Sequence, residues 1–202
     1  MSNTLSPFGF RLASRADGAQ PNYAIQYRQI AYNNTNKFGF GDPVKTLNTG
    51  YIDAATAGST FSGIFLGCEY VDTNFARKVY FPNWSAPSTA TQYTVLAKVC
   101  MDPKALFVCQ IGNDTSVKTQ SIIGQNANFG GGGAPNSAGI STAYLDGSTI
   151  ATTSTLNFRI VGFAGGDNTY LTTGYVGNDP TSANPLVLVA LNNCDWNTTT
   201  GQ

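Results

Sequence analysis

The stretch that decides the fold reads G-I-F-L-G-C-E-Y-V-D-T-N-F-A-R-K-V-Y-F-P-N-W over Gly63–Trp84, and Q-Y-T-V-L-A-K-V-C-M-D-P-K-A-L-F-V-C-Q over Gln92–Gln110. Gly63–Val71 and Lys78–Trp84 are rich in β-branched and aromatic residues and are separated by turn formers, the pattern of a hairpin. In the second block Tyr93, Val95, Ala97 and Val99 recur at period two, which puts them on one face of a strand. Asp102-Pro-Lys has the residues of a type I turn, and Ala105–Ile111 returns as a further strand.

Working outward, Tyr23–Tyr32 repeats the period-two pattern with Tyr23, Ile25 and Tyr27. Phe38–Leu47 is a short strand entered through a Gly-Asp-Pro corner, and Tyr51–Ala57 is another. Downstream, Ile140–Leu145, Thr149–Leu156 and Asn157–Phe163 read as strands, and the unbroken apolar run Leu186–Leu191 as a strand buried on both faces. Gly130–Gly133 marks Gln125–Asn136 as a flexible loop, and no Gly-Lys-[Ser/Thr] follows it to make a phosphate cradle. Strands punctuated by turns every roughly 8–12 residues define an all-β sandwich or barrel. The expected layout is an N-terminal arm over residues 1–14 and a single β-sandwich domain over 15–202. Pro7 bars a helix in the arm, and Phe8 and Phe10 need somewhere to dock. One place is the domain's own core; the other is a neighbouring subunit, in which case removing residues 2–11 leaves the fold intact.

Composition excludes several kinds of chemistry. The 202 residues contain no histidine, so Ser-His-Asp and Cys-His catalysis and histidine-ligated metals are ruled out. Lys+Arg and Asp+Glu are 11 each, which leaves no excess positive charge for nucleic acid. Charged residues are 11% of the chain, against about 25% in an average domain, so little repulsion opposes association. No apolar run reaches the roughly 20 residues of a membrane-spanning helix. The first residues lack the pattern of a secretory leader, so a cytoplasmic site of synthesis is expected. Cys68, Cys100, Cys109 and Cys194 form no CxxC and read as small buried apolar residues.

The remaining candidate chemistry is a carboxylate pair. Glu69, the only glutamate, and Asp72 lie three apart in a strand, which points them to opposite faces. The aspartates at 42, 102, 114, 146, 167 and 179 stand beside Gly, Pro or Asn, as turn residues do. No catalytic, cofactor-binding or metal-binding residue is expected.

Five segments, in order, resemble small structural proteins of tailed bacteriophages: Ser6–Arg11 (S-P-F-G-F-R), Gly41–Lys45 (G-D-P-V-K), Gly63–Asp72 with Tyr80–Trp84 (Y-F-P-N-W), Met101–Gln110, and Phe158–Gly162 (F-R-I-V-G). The family is that of the capsid cement, or decoration, proteins of short-tailed phages. The resemblance implies an all-β, jelly-roll-like, non-enzymatic protein on the outer surface of the virion head, assembled in the host cytoplasm. Its implied partners are the major capsid protein and other copies of itself, as a dimer or trimer. Pro7, Phe8, Phe10 and Arg11 are the expected capsid contacts. The alternative is a tail or head-fibre module that recognises a host glycan. Gly130–Gly133 and the segment after Asn192 have no counterpart in the resemblance.

Overall fold

Gly63–Asp72 forms β5, the longest strand among the described residues, at the centre of the smaller of two sheets. The computed structural model describes residues 3–18, 25–91, 94–164, 178–179 and 182–197. The smaller sheet runs β2 (Ile25–Gln29), β7 (Leu96–Cys100), β5, β3 (Pro43–Thr46), β4 (Ile52–Ala54), with β6 (Arg77–Phe81) also paired to β5. Its pairings are all antiparallel. The larger sheet runs β10 (Phe129–Gly130), β11 (Tyr144–Asp146), β8 (Ala105–Gly112), β13 (Leu186–Leu191), β12 (Phe158–Phe163), β9 (Asn126–Ala127), with β1 (Arg11–Arg15) also on β8. One pairing, β11 with β8, is parallel. Together the sheets make the all-β, jelly-roll-like sandwich expected from the sequence, close to a closed barrel.

β5 is buried on both faces, and a bulge decides which residue goes where. Its register with β7 steps from Phe65↔Val99 to Cys68↔Ala97, three residues against two. Before the bulge Ile64 and Leu66 enter the core shared with the larger sheet, with Phe107, Phe158 and Val189. After it, even-numbered Cys68 and Tyr70 join Phe65 in a second core, with Trp84, Val95, Ala97 and Val99. Gly67 carries the bulge at φ +111°, and a Cβ there would lie 2.3 Å from the Tyr80 hydroxyl oxygen.

The segment expected as an arm is built into the sandwich. Phe10 is fully buried and stacks on Phe158, and β1 continues from Arg11 along β8. Of the two docking places for Phe10, the structure uses the domain's own core. An arm whose removal leaves the fold intact is therefore corrected: residues 9–11 are part of the core and its sheet.

The expected flexible loop is likewise anchored. Gln125–Asn136 contains β9 and β10, and the glycines after them wrap Asp42. The Asp42 carboxylate accepts hydrogen bonds from Ser141 Oγ at 2.5 Å, from the Gly39 N–H at 2.7 Å and from the Gly133 N–H. Gly131, Gly132 and Gly133 all have positive φ, and a Cβ on Gly132 would lie 2.7 Å from Asp42 Oδ1. This polar knot gives the glycine run a structural purpose that composition did not reveal.

Two further expectations change. Thr149–Leu156 is not a strand: Asp146 accepts from the Ser148 N–H, Thr149 Oγ1 donates to the Asp146 carbonyl, and a short 3-10 turn forms instead. In β13 Val187, Val189 and Leu191 are buried while Leu186, Leu188 and Ala190 are half-buried, so one face is core and the other partly covered. The expected strand Tyr23–Tyr32 is described from Ile25 onward; Tyr23 and Tyr93 lie outside the described residues.

Candidate functional site

A cleft of about 460 Å³ opens where the two sheets part. β1 contributes Arg11 and Leu12, and β2 contributes Ile25. Leu66, Tyr80 and Lys98 come from β5, β6 and β7, and Phe40 from the segment that leads into the Asp42 corner. Leu12, Ile25 and Phe40 also pack on the shared core, so the floor of the cleft is the core's own margin.

Geometry fixes the two cations. Arg11 Nε donates to the Phe8 carbonyl at 3.2 Å, and its guanidinium carbon stands 4.6 Å from the centroid of Phe40. Such a stack is worth about 0.5–1 kcal/mol at an exposed site and more when desolvated. Burial pushes the guanidinium's pKa below its ordinary value, while the group stays charged at any physiological pH. No carboxylate among the described residues pairs with Arg11.

Lys98 Nζ lies 4.8 Å from the centroid of Tyr80 and 5.9 Å from that of Tyr27. Among the described residues its one nearby carboxylate, Glu69, is 4.0 Å away and already held by Lys78 at 3.1 Å. Tyr80 is itself fixed, its hydroxyl donating to the Leu66 carbonyl at 2.8 Å across the Gly67 bulge. Desolvation raises the phenol's pKa, so it remains protonated. Tyr27 and Tyr80 are nonetheless 57% and 51% exposed, and they extend the cleft onto an open face of the smaller sheet.

Among the described residues the candidate carboxylates do not converge; Asp167 lies outside them. Glu69 serves the lysines, whereas Asp72 accepts from the Asn74 and Phe75 N–H groups and from Thr89 Oγ1. Asp102, Asp114 and Asp146 each accept from the N–H two residues on, as turn aspartates do. Among the described residues no group of three or more His, Cys, Asp or Glu is placed to hold a metal ion.

Of the four expected contact residues, Arg11 lines the cleft, Pro7 and Phe8 are half-buried beside it in sequence, and Phe10 is inside. Sequence reading missed Lys98 and Phe40. The signal for Lys98 was present: Ala97 and Val99 take one face of β7, which leaves Lys98 on the other. Nothing in the sequence indicated that this face meets β1.

The fold and the cleft define an all-β sandwich with a cationic, aromatic-walled recess. No family profile, curated protein or solved structure matches the chain.

Proposed function

We propose that this chain is a structural virion protein, a capsid cement protein that binds the outer surface of a phage head and joins neighbouring major capsid subunits. One observation carries the reading. The five segments that resemble the cement family are not scattered over the surface; they meet. The Phe10 N–H donates to the Gly41 carbonyl at 2.9 Å, and the Gly41 N–H donates to the Phe65 carbonyl at 2.8 Å. Phe10 stacks on Phe158, and Arg11 pairs with Val108. The segments therefore belong to one packed sandwich with two neighbouring cores, as the resemblance requires.

The physical design suits the role. A cement protein does no chemistry and works through area and copy number. This chain offers a charge-poor surface, and β1, β2 and β6 each pair on one side only among the described residues. Free strand edges add to a neighbour's sheet through main-chain hydrogen bonds. Its partners in this reading are the major capsid protein and further copies of itself. The exposed aromatics Tyr27 and Tyr80 stand beside Lys98 rather than beside paired acids, which gives a glycan-binding module no specific support.

The test is calorimetric. Purified protein added to expanded heads that lack it should raise the melting temperature of the shell; identical melting with and without it would contradict the reading.

A further inference from the structure

Among the described residues, the two cations of the cleft have one carboxylate nearby, and Lys78 shares it. Arg11 is half-buried, stacked on Phe40, and donates to a main-chain carbonyl. Lys98 faces the same recess from the other sheet and, among the described residues, shares its one nearby carboxylate, Glu69, with Lys78. A neutral chain has thus gathered two cations over an apolar floor of Leu12, Ile25 and Leu66. Holding cations in a partly desolvated recess is unfavourable unless an anion completes them.

We propose that this cleft is a docking slot for an acidic side chain carried on an extended segment of a partner protein, with an apolar residue next to the acid. The carboxylate sits between Arg11 and Lys98. The adjacent apolar side chain lies on Leu12, Ile25 and Leu66. The segment runs along the edges of β1 and β2, which border the cleft and pair on one side only among the described residues. The planar guanidinium suits two parallel hydrogen bonds to one carboxylate, and the stack on Phe40 presets its plane. In the cement reading, on which the partner's identity rests, that segment belongs to the major capsid protein.

The test begins with small probes and the isolated protein. Phenylacetate and phenylacetamide share a shape and differ in charge. Titrated separately into 15N-labelled protein, phenylacetate should shift resonances of Arg11, Ile25, Leu66 and Lys98 and bind about tenfold tighter than the amide. Arg11→Gln and Lys98→Gln should each remove most of that preference while melting near the parent. Equal binding of the two probes, or shifts elsewhere on the chain, overturns the proposal. A sulfated sugar that outcompetes phenylacetate at the same residues also overturns it, in favour of an anionic glycan. Binding of the same variants to expanded heads separates this claim from the cement reading. If the parent binds heads and both variants bind equally well, the slot is wrong and the cement role stands. If phenylacetate binds as expected and the parent ignores heads, the slot stands and the partner is another protein.

Discussion

The ring of Phe10 lies parallel to that of Phe158, with 4.2 Å between centroids and 7° between planes. A residue of the expected arm is thereby a core residue, packed beside Phe61 and Phe129 through their shared neighbour Phe158. Phe10→Ala should cost about 3–5 kcal/mol, because a large side chain leaves a cavity that a β-sandwich closes poorly. Phe8→Ala, at a half-buried position, should cost about 1 kcal/mol or less. Urea titration checks both. Removal of residues 2–11 should abolish a cooperative transition.

Asp42 is only 2% exposed, and its burial raises its pKa above the ordinary value of 3.8. A carboxyl whose folded pKa is raised favours folding most when neutral. Its contribution is therefore fully present below pH 3.8 and declines as pH rises through the folded-state value. Asp42→Asn keeps the shape but sets an amide against the N–H donors of the knot, at a cost of about 1–3 kcal/mol. That cost should be largest at acid pH and shrink toward neutrality. Denaturant melts of parent and variant across this range measure it; a cost that grows with pH would refute the assignment.

Gly67 is held at φ +111° under the Tyr80 hydroxyl. Gly67→Ala should destabilise by about 2–4 kcal/mol, since the Cβ meets both a side chain and the Phe81 carbonyl. Tyr80→Phe removes only the hydrogen bond to Leu66 and should cost about 0.5–1.5 kcal/mol. The double variant should recover part of the Gly67→Ala loss but not all of it, because the Phe81 carbonyl, 2.9 Å from the added Cβ, is backbone.

All four cysteines are free and buried. Burial pushes the Cys68 thiol up to about 12, and raises those of Cys100, Cys109 and Cys194 as well. Thiolate is the reactive form, so native protein should resist iodoacetamide at pH 8, whereas protein in denaturant should take four equivalents. Intact-mass spectrometry reads the difference.

Much of the fold was legible because local and global signals agreed. Gly63–Asp72 and Val95–Val99 show their faces in period two, and Asp102-Pro-Lys closes as a turn, with Ala105 N–H donating to the Asp102 carbonyl at 3.1 Å. What stayed hidden depended on distant partners. Gly67 reads as a weak point in a strand until Tyr80 is seen above it. The glycine run reads as a loose loop until Asp42 is found inside it. Thr149 and Ile150 have strand-like composition, yet Thr149 bonds back to Asp146 and the chain turns. The cleft was least visible, for Arg11 and Lys98 are 87 positions apart and meet only because β1 and β7 border the same opening.

The most direct measurement is cosedimentation of the purified protein with expanded, undecorated heads, with mass spectrometry to count copies per head. The cement role predicts saturable binding at a fixed ratio to the major capsid protein. Absence of binding, or binding that never saturates, would contradict it.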